Sequence, residues 1–182
     1  MHRSVSAGHS FPPQRDVRAG VRRRRGFTLM EMMVVVAIIA ILATLAIPGN
    51  LNRRIMDEIT SAVPLADIAK PPIALGWAAA QEFPADNASA GLPSADKIVN
   101  TYINAVAVQN GAIQITFGNS ANSLIAGKVL TLRPAVVEDA PIVPITWICG
   151  NASAPDKMTI KGENKTSVPV IYLPFNCRSP GT

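Results

Sequence analysis

Histidine is scarce in this chain of 182 residues: His2 and His9 lie near the N-terminus, and residues 27–182 contain none. Over that range the chain therefore has no histidine general base, no Ser-His or Cys-His nucleophile pair, and few means of holding zinc. Its two cysteines alone do not make up a metal site. We expect a protein that is not an enzyme and that carries no metal and no cofactor.

Sequence motifs for nucleotide, ester or calcium chemistry are also missing. The chain has no phosphate-binding glycine-rich loop, no Gly-x-Ser-x-Gly turn and no acidic cluster with calcium-loop spacing. Glu138-Asp139 is a lone acidic pair before Pro141, and we expect it in a solvated loop. The search for catalytic chemistry in the sequence is therefore negative.

Positive charge is concentrated at the start of the chain. The formal net charge is +5, but residues 1–26 hold seven arginines and one aspartate, a net of +6. Residues 27–182 consequently carry 10 basic and 11 acidic side chains, a net of −1. The basic character belongs to a leader at 1–26, so it does not indicate nucleic-acid binding by the rest of the chain. Beside an apolar segment, it favours a cytoplasmic N-terminus.

An uncharged run of sixteen residues extends from Met32 to Ile47, directly after the arginines, Gly26 and the short stretch Phe27–Glu31. With Phe27–Met30 added, a helix here would span about 31 Å, the thickness of a bilayer's apolar core. Two interpretations remain open on this evidence. One is a secretory signal or a plain membrane anchor; the other is a leader cut after Gly26 that leaves the helix attached to the chain.

The residues Arg-Gly-Phe-Thr-Leu-Met-Glu, followed by an apolar run that Pro48 closes, resemble the class III signal and N-terminal helix of type IV pilins. The resemblance implies cleavage after Gly26 by a prepilin peptidase and methylation of Phe27 as the new N-terminus. It also implies that Glu31, with Phe27 and Thr28, serves assembly by pairing with the Phe27 ammonium of a neighbouring subunit. A carboxylate in the first turn also suits the helix dipole.

The chain after Pro48 divides into three predicted regions. Residues 49–75 have apolar side chains at spacings of three and four, which predicts an amphipathic continuation of the helix with a kink at Pro48 and an end at Pro71-Pro72. Residues 76–111 form a connecting loop that holds Trp77 as a packing residue and ends in an Asn110-Gly111 turn. Residues 112–182 hold the sheet, with strands at 112–117, 128–133 and 145–149.

Cys149 and Cys177 are 28 positions apart. They could be two buried free thiols, whereas export to the periplasm would favour a bridge. The position resembles the C-terminal disulfide loop of pilins, and the sequence around it is similar to type IVa pilins of Gram-negative bacteria. The resemblance implies an α+β fold, in which a long N-terminal helix packs by its second half on a four-stranded antiparallel sheet that ends in this loop.

The function that this resemblance implies is that of a structural subunit of a type IV pilus, with a role in adhesion, twitching motility or DNA uptake. The expected partners are further copies of the chain, the prepilin peptidase and methyltransferase, the assembly platform and minor pilins. Surface or DNA ligands of the fibre are further possible partners. The precursor is expected in the inner membrane through helix 27–48, with its globular part in the periplasm, and the product in an extracellular pilus.

Other functions remain open on the sequence. A minor pilin or a type II secretion pseudopilin shares the N-terminal pattern, although the C-terminal cysteine pair favours a pilin. A membrane-tethered periplasmic binding module would never polymerise and would tolerate loss of Glu31. An enzyme anchored by the helix is disfavoured by the missing histidine.

Overall fold

The computed structural model describes the backbone of residues 26–181, and the side chains of 26–44 and 51–181. Nearly all of the predicted leader, 1–26, therefore lies outside the described residues. The chain divides into two compact units, one up to Ile41 and one from Leu42 onward.

Helix α1 spans Leu29–Ala62 and is continuous through position 48. The kink predicted at Pro48, whose side chain lies outside the described set, stays a prediction. Beyond position 50 the helix buries one stripe, which includes Ile55 and Ile59. Leu51, which the spacing of three and four predicted over 49–75 places on the same stripe, is instead 46% exposed.

The prediction that Pro71-Pro72 ends the helical region is wrong. A 3-10 segment, Val63–Ala69, leads into helix α2, Lys70–Ala80, which has the two prolines in its first turn. The first amides of a helix have no intrahelical partner, so proline loses nothing there and its fixed φ suits the helix. The apolar stripe therefore continues past residue 75, through Ala66, Ala69 and Ile73 to the buried Trp77.

The sheet is antiparallel, as the resemblance implies, and its main strands follow one another in the order β1-β2-β3-β4. Its strands are β1 (Ile103–Gln109), β2 (Ala112–Phe117), β3 (Val129–Val136), β4 (Thr146–Cys149) and β5 (Thr159–Ile160). The prediction of four strands is corrected to five within the described residues, because β5 pairs with β3 at Ala135 and Val136. Because β1 begins at Ile103, the sheet starts inside residues 76–111, which were predicted to form the connecting loop.

The hairpin between β1 and β2 confirms the predicted turn. Asn110 and Gly111 both have positive φ, 47° and 80°, and Gln109 pairs with Ala112 across the turn. Positive φ at both central residues gives a turn whose twist matches that of the strands it joins. The strand predicted at 128–133, in contrast, does not end before Pro134, since β3 continues to Val136.

The core of the second unit lies between the helical stripe and the sheet. Fully buried Ile113, Ile115 and Phe117 of β2 and Leu130 of β3 belong to one cluster with the stripe residues. Ile113, Ile115 and Phe117 occupy every second position of β2, as the alternation of apolar and polar residues in the sequence predicts.

A segment that we call the strap, residues 161–168, runs antiparallel along β3. The amide of Lys161 donates to Pro134 O (2.8 Å), that of Lys165 to Thr131 Oγ1 (3.0 Å), and that of Ser167 to Val129 O (2.8 Å). Thr131 is fully buried, so this hydroxyl contact lies in the interior. The strap fixes a stretch of chain that has few apolar residues of its own.

Candidate functional site

The first candidate site is the start of α1. The backbone N–H of Glu31 donates to Thr28 Oγ1 (3.2 Å), and that of Met32 donates to Thr28 O (3.2 Å). Thr28 therefore caps the helix, and its hydroxyl satisfies an amide that would otherwise lack an intrahelical partner. The Thr28-x-x-Glu31 spacing is a capping-box pattern. The sequence therefore contains a local signal for this cap, which the resemblance to pilins does not mention.

Glu31 lies in the first turn of α1 and its side chain is exposed. The partial positive charge of the helix N-terminus favours a carboxylate at this position. The structure thus brings Thr28 and Glu31 together through the cap. The predicted contact between Glu31 and Phe27 joins two subunits, so it stays a prediction.

Apolar side chains are exposed along the whole described part of this segment. Phe27 is 75% exposed, and the large apolar residues from Leu29 to Leu42 are exposed as well. Exposed apolar surface of this extent marks a site that contacts protein or lipid. Among the described residues, however, the structure has no helix that is long and apolar enough to cross a membrane.

The second candidate site is the C-terminal loop that a disulfide closes. Cys149, at the end of β4, is bonded to Cys177, and the two Cα atoms are 4.5 Å apart. The sequence left open whether the two cysteines are free thiols or a disulfide, and in the structure they form the disulfide. Beside it, the amide of Gly150 donates to Thr131 O and that of Asn151 to Cys177 O, so the loop is fixed to the sheet at its base.

Arg133 lies close to this base and donates from Nη2 to Gly150 O (3.0 Å). Burial lowers the pKa of its guanidinium, because removal from water disfavours the charged form. The group keeps its charge at neutral pH, because arginine is not deprotonated in proteins. Arg133 is thus a structural cation in this region.

Two residues join distant parts of the chain in ways that the sequence does not reveal. Asn87 is buried; its Nδ2 donates to Pro93 O and Val106 O, and its Oδ1 accepts from the amide of Val108. Glu58 of α1 accepts from the amide of Asn122 in the β2–β3 connection (2.9 Å). Pro93 is 6 positions from Asn87, but the other partners are 19 to 64 positions away in sequence, beyond the reach of any local pattern.

The residues that the structure describes include no group of three or more histidines, cysteines, aspartates or glutamates that could hold a metal ion. What the two candidate sites offer is surface for contact with other molecules. One is an exposed apolar helix with a carboxylate in its first turn, and the other is a rigid loop closed by a disulfide.

Comparisons with known proteins match both parts of the chain. Residues 21–47 match the prokaryotic N-terminal methylation motif, and residues 58–178 match the pilin family, described as bacterial filament. The chain is 32% identical to a fimbrial protein of Neisseria meningitidis serogroup A, over 85% of this chain and 94% of that protein. It is also 32% identical to the type IV major pilin protein PilE of Neisseria gonorrhoeae, with the same coverage.

A third relative comes from another genus. The fimbrial protein Q of Moraxella bovis is 34% identical, over 85% of this chain and 98% of that protein. These matches extend over the helix, the sheet and the disulfide loop together. The chain belongs to the pilin family of bacterial filament proteins.

Proposed function

We propose that this chain is the precursor of a structural subunit of a type IV pilus and that it polymerises through its N-terminal helix. The observation that carries the proposal is the exposed apolar face of α1, which starts two residues after the Gly26–Phe27 bond in a chain that belongs to the pilin family. The N-terminal methylation motif at 21–47 supports cleavage of that bond and methylation of Phe27.

Cleavage after Gly26 changes the charge at the start of the helix. In the uncut chain the nitrogen of Phe27 is part of a neutral peptide bond. After cleavage it is an amine with a pKa of about 8, and so it is mostly protonated at neutral pH. An ammonium at Phe27 can pair with Glu31 of a neighbouring subunit, whereas the uncut chain cannot form that pair.

The pair matters most when the helices pack together. A carboxylate moved from water into an apolar bundle is costly unless a cation and hydrogen bonds accompany it. Thr28 already satisfies the amide of Glu31, which holds the first turn in the helical conformation. We infer that subunits enter the fibre in the register that brings Glu31 to the Phe27 ammonium.

The location and partners of the subunit follow from this assembly route. Before assembly the precursor resides in the inner membrane, with segment 27–48 in the bilayer and the globular part in the periplasm. The prepilin peptidase and methyltransferase, the assembly platform and minor pilins act on it there, and the product is an extracellular fibre. Adhesion, twitching motility and DNA uptake are the functions proposed for that fibre.

Three other roles are less well supported. A minor pilin or a type II secretion pseudopilin shares the N-terminal helix, but the pilin match includes the disulfide loop and extends to residue 178. A tethered periplasmic binding module would not need Glu31. A major pilin would be the dominant protein in sheared fibres, whereas a minor pilin or a pseudopilin would not.

Substitution of Glu31 tests the proposal. We expect Glu31→Ala to leave the processed protein in the membrane fraction and to remove it from the fibre fraction sheared from cells. Glu82→Ala is the matched control, because Glu82 is also an exposed glutamate but lies outside the apolar helix. Fibres of normal yield from Glu31→Ala cells would contradict assembly through this carboxylate.

A further inference from the structure

An apolar groove lies between α2 and the connection from β3 to β4. One wall is the exposed side of α2, with Leu75 70% exposed, and the other is the connection, with Ile142 91% exposed. Trp77 of α2 is buried and also lines the groove, and the Phe83 ring stacks on it with 5.0 Å between ring centres. Of the ten residues that line the groove, none is charged.

Prolines stiffen both walls of this groove. Pro71 is part of the α2 wall, and Pro141 and Pro144 are part of the opposite wall. The fixed φ of proline limits the conformations that each wall can adopt. A preformed apolar groove gains affinity because little order is lost when an apolar group enters it.

The same chain carries an exposed apolar tip on its disulfide loop. Val170, Ile171 and Phe175 make up this C-terminal tip, and Phe175 is 82% exposed. Cys177 fixes the end of the tip through the disulfide. Arg178 holds it from the other side, with Nε donating to Leu173 O (2.8 Å) and Nη2 to Ile171 O (3.3 Å).

The charges beside the groove and the tip are opposite. The Arg178 guanidinium lies 4.6 Å from the centre of the Phe175 ring, so the tip carries a cation next to its largest apolar group. Asp139, two residues before Pro141 of the groove wall, is exposed. The cation nearest to the groove in sequence, Lys70 beside Pro71, is already paired with Asp67 (2.7 Å). Complementary charge at an interface suppresses wrong partners and fixes the register of the right one.

We propose that the groove receives the C-terminal tip of a second copy of this chain, with Phe175 entering between Leu75 and Ile142. The tip and the groove are different surfaces of one subunit, so their contact is heterologous, and its repetition gives an open filament when the rotation between neighbours does not close into a ring. Phe175 is exposed in its own chain, so its ring is available to enter the groove of a neighbouring copy. The proposal rests on the proposed polymer and assigns residues to contacts between its globular parts.

A photo-cross-linking residue at position 175 tests the contact in intact fibres. With Phe175→p-benzoylphenylalanine, we expect irradiation to give dimers whose cross-linked peptides join residue 175 to 71–78 or 141–145. The same replacement at Ile171 provides a second position in the tip. Dimers that map elsewhere, the absence of dimers, or capture of lipid or another protein would overturn the assignment.

Charge substitution gives an independent readout. We expect Phe175→Lys and Ile142→Glu each to lower the yield of fibre about tenfold or more, as loss of a central apolar contact does. Combining them should restore part of the yield, because the two new charges attract each other. Val99→Glu and Leu124→Lys are matched controls, since both residues are exposed and apolar but lie outside the groove and the tip.

The outcomes separate this inference from the proposed function. If wild-type cells yield no fibres that contain the chain, the polymer itself is wrong. If fibres form and the double variant is no better than the single ones, or the controls lose as much yield, only the contact between tip and groove is wrong.

Discussion

Asn87 ties the connection between α2 and β1 to the edge of the sheet. Its side chain makes three hydrogen bonds, two of them to the backbone of Val106 and Val108 in β1. β1 is the first strand of the order β1-β2-β3-β4, so its outer backbone groups have no strand beside them in that order. Covering such groups keeps an edge from pairing with other chains.

We predict that Asn87→Ala lowers the free energy of unfolding by about 2–4 kcal/mol, because it leaves buried backbone groups without partners. Asn164→Ala is the matched control: this residue begins the same Asn-x-Ser/Thr pattern but is exposed, so about 0.5 kcal/mol or less is expected. Urea unfolding of the processed chain in detergent measures both values. Similar losses in the two variants would contradict the role given to Asn87.

Asp86, next to Asn87, makes a pH-dependent contribution to the stability of the folded chain. The backbone N–H and the hydroxyl of Ser89 hydrogen-bond its carboxylate and hold its pKa below the ordinary value of 3.8. A lowered pKa in the folded state means that the contribution is complete above pH 3.8 and is lost as the pH falls through the folded value.

We predict that the Tm difference between the wild type and Asp86→Asn is constant at neutral pH and shrinks once the pH falls below 3.8. Thermal unfolding followed by circular dichroism over a series of pH values measures it. A difference that grows as the solution is acidified would show that the carboxylate is not the stabilising form.

Residue chemistry of this kind is only partly visible in the sequence. The two cysteines and Asn110-Gly111 could be anticipated, because each carries a local signal. The cap at Thr28 has a local signal too, the Thr-x-x-Glu spacing. Asn87 and Glu58 have none, because their roles depend on partners that only the folded chain brings near.

At the scale of elements, the β1–β2 hairpin depends on the backbone conformation of its turn. Gly111 has φ of +80°, and a Cβ there would lie 2.6 Å from the Phe83 ring. Gly127 has a similar φ of +73°, but no atom lies within 4 Å of its added Cβ. The two glycines thus separate the cost of backbone strain from the cost of a steric clash.

We predict that Gly127→Ala costs about 1–2 kcal/mol of stability, the price of the left-handed conformation for an L-residue. Gly111→Ala should cost about 3 kcal/mol or more, since the clash with Phe83 adds to the strain. Denaturant unfolding of both variants gives the comparison. Equal losses would mean that Phe83 moves aside freely.

The strap depends on the disulfide, because the bridge closes the loop that contains it. We predict that replacing Cys149 and Cys177 together by serine lowers stability by about 3–4 kcal/mol on the chain-entropy model. Amide exchange in 161–168 should accelerate more than in β2. Hydrogen exchange with mass spectrometry measures this, and unchanged protection of the strap would contradict its dependence on the bridge.

The elements that the sequence missed are those without a periodic pattern. β5 has two residues, and the strap bonds mainly through its backbone, so neither produces an alternation that could be read. The continuation into α2 was missed for another reason: Pro71-Pro72 ends a helix when it lies inside one but suits the first turn of a new one. Strands β2 and β3, whose sequences alternate, were predicted; β2 matches its predicted bounds of 112–117, and β3 runs three residues past its predicted end at 133.

At the scale of the whole molecule, the chain has surfaces suited to polymerisation. The apolar start of α1, the groove beside α2 and the C-terminal tip are all exposed, and the described residues include no group that could hold a metal ion. Repeated heterologous contacts between such surfaces give an open filament when the rotation between neighbours does not close into a ring. This agrees with the family to which the chain belongs.

The mass of the intact protein in sheared fibres tests the central claim most directly. We predict a species that corresponds to residues 27–182 plus one methyl group and that gains two hydrogens on reduction of the Cys149–Cys177 bridge. Such a mass in the fibre fraction would report cleavage after Gly26, methylation of Phe27 and polymerisation together. A chain that keeps its leader, or one found only in membranes while fibres lack it, would contradict the account of a pilus subunit.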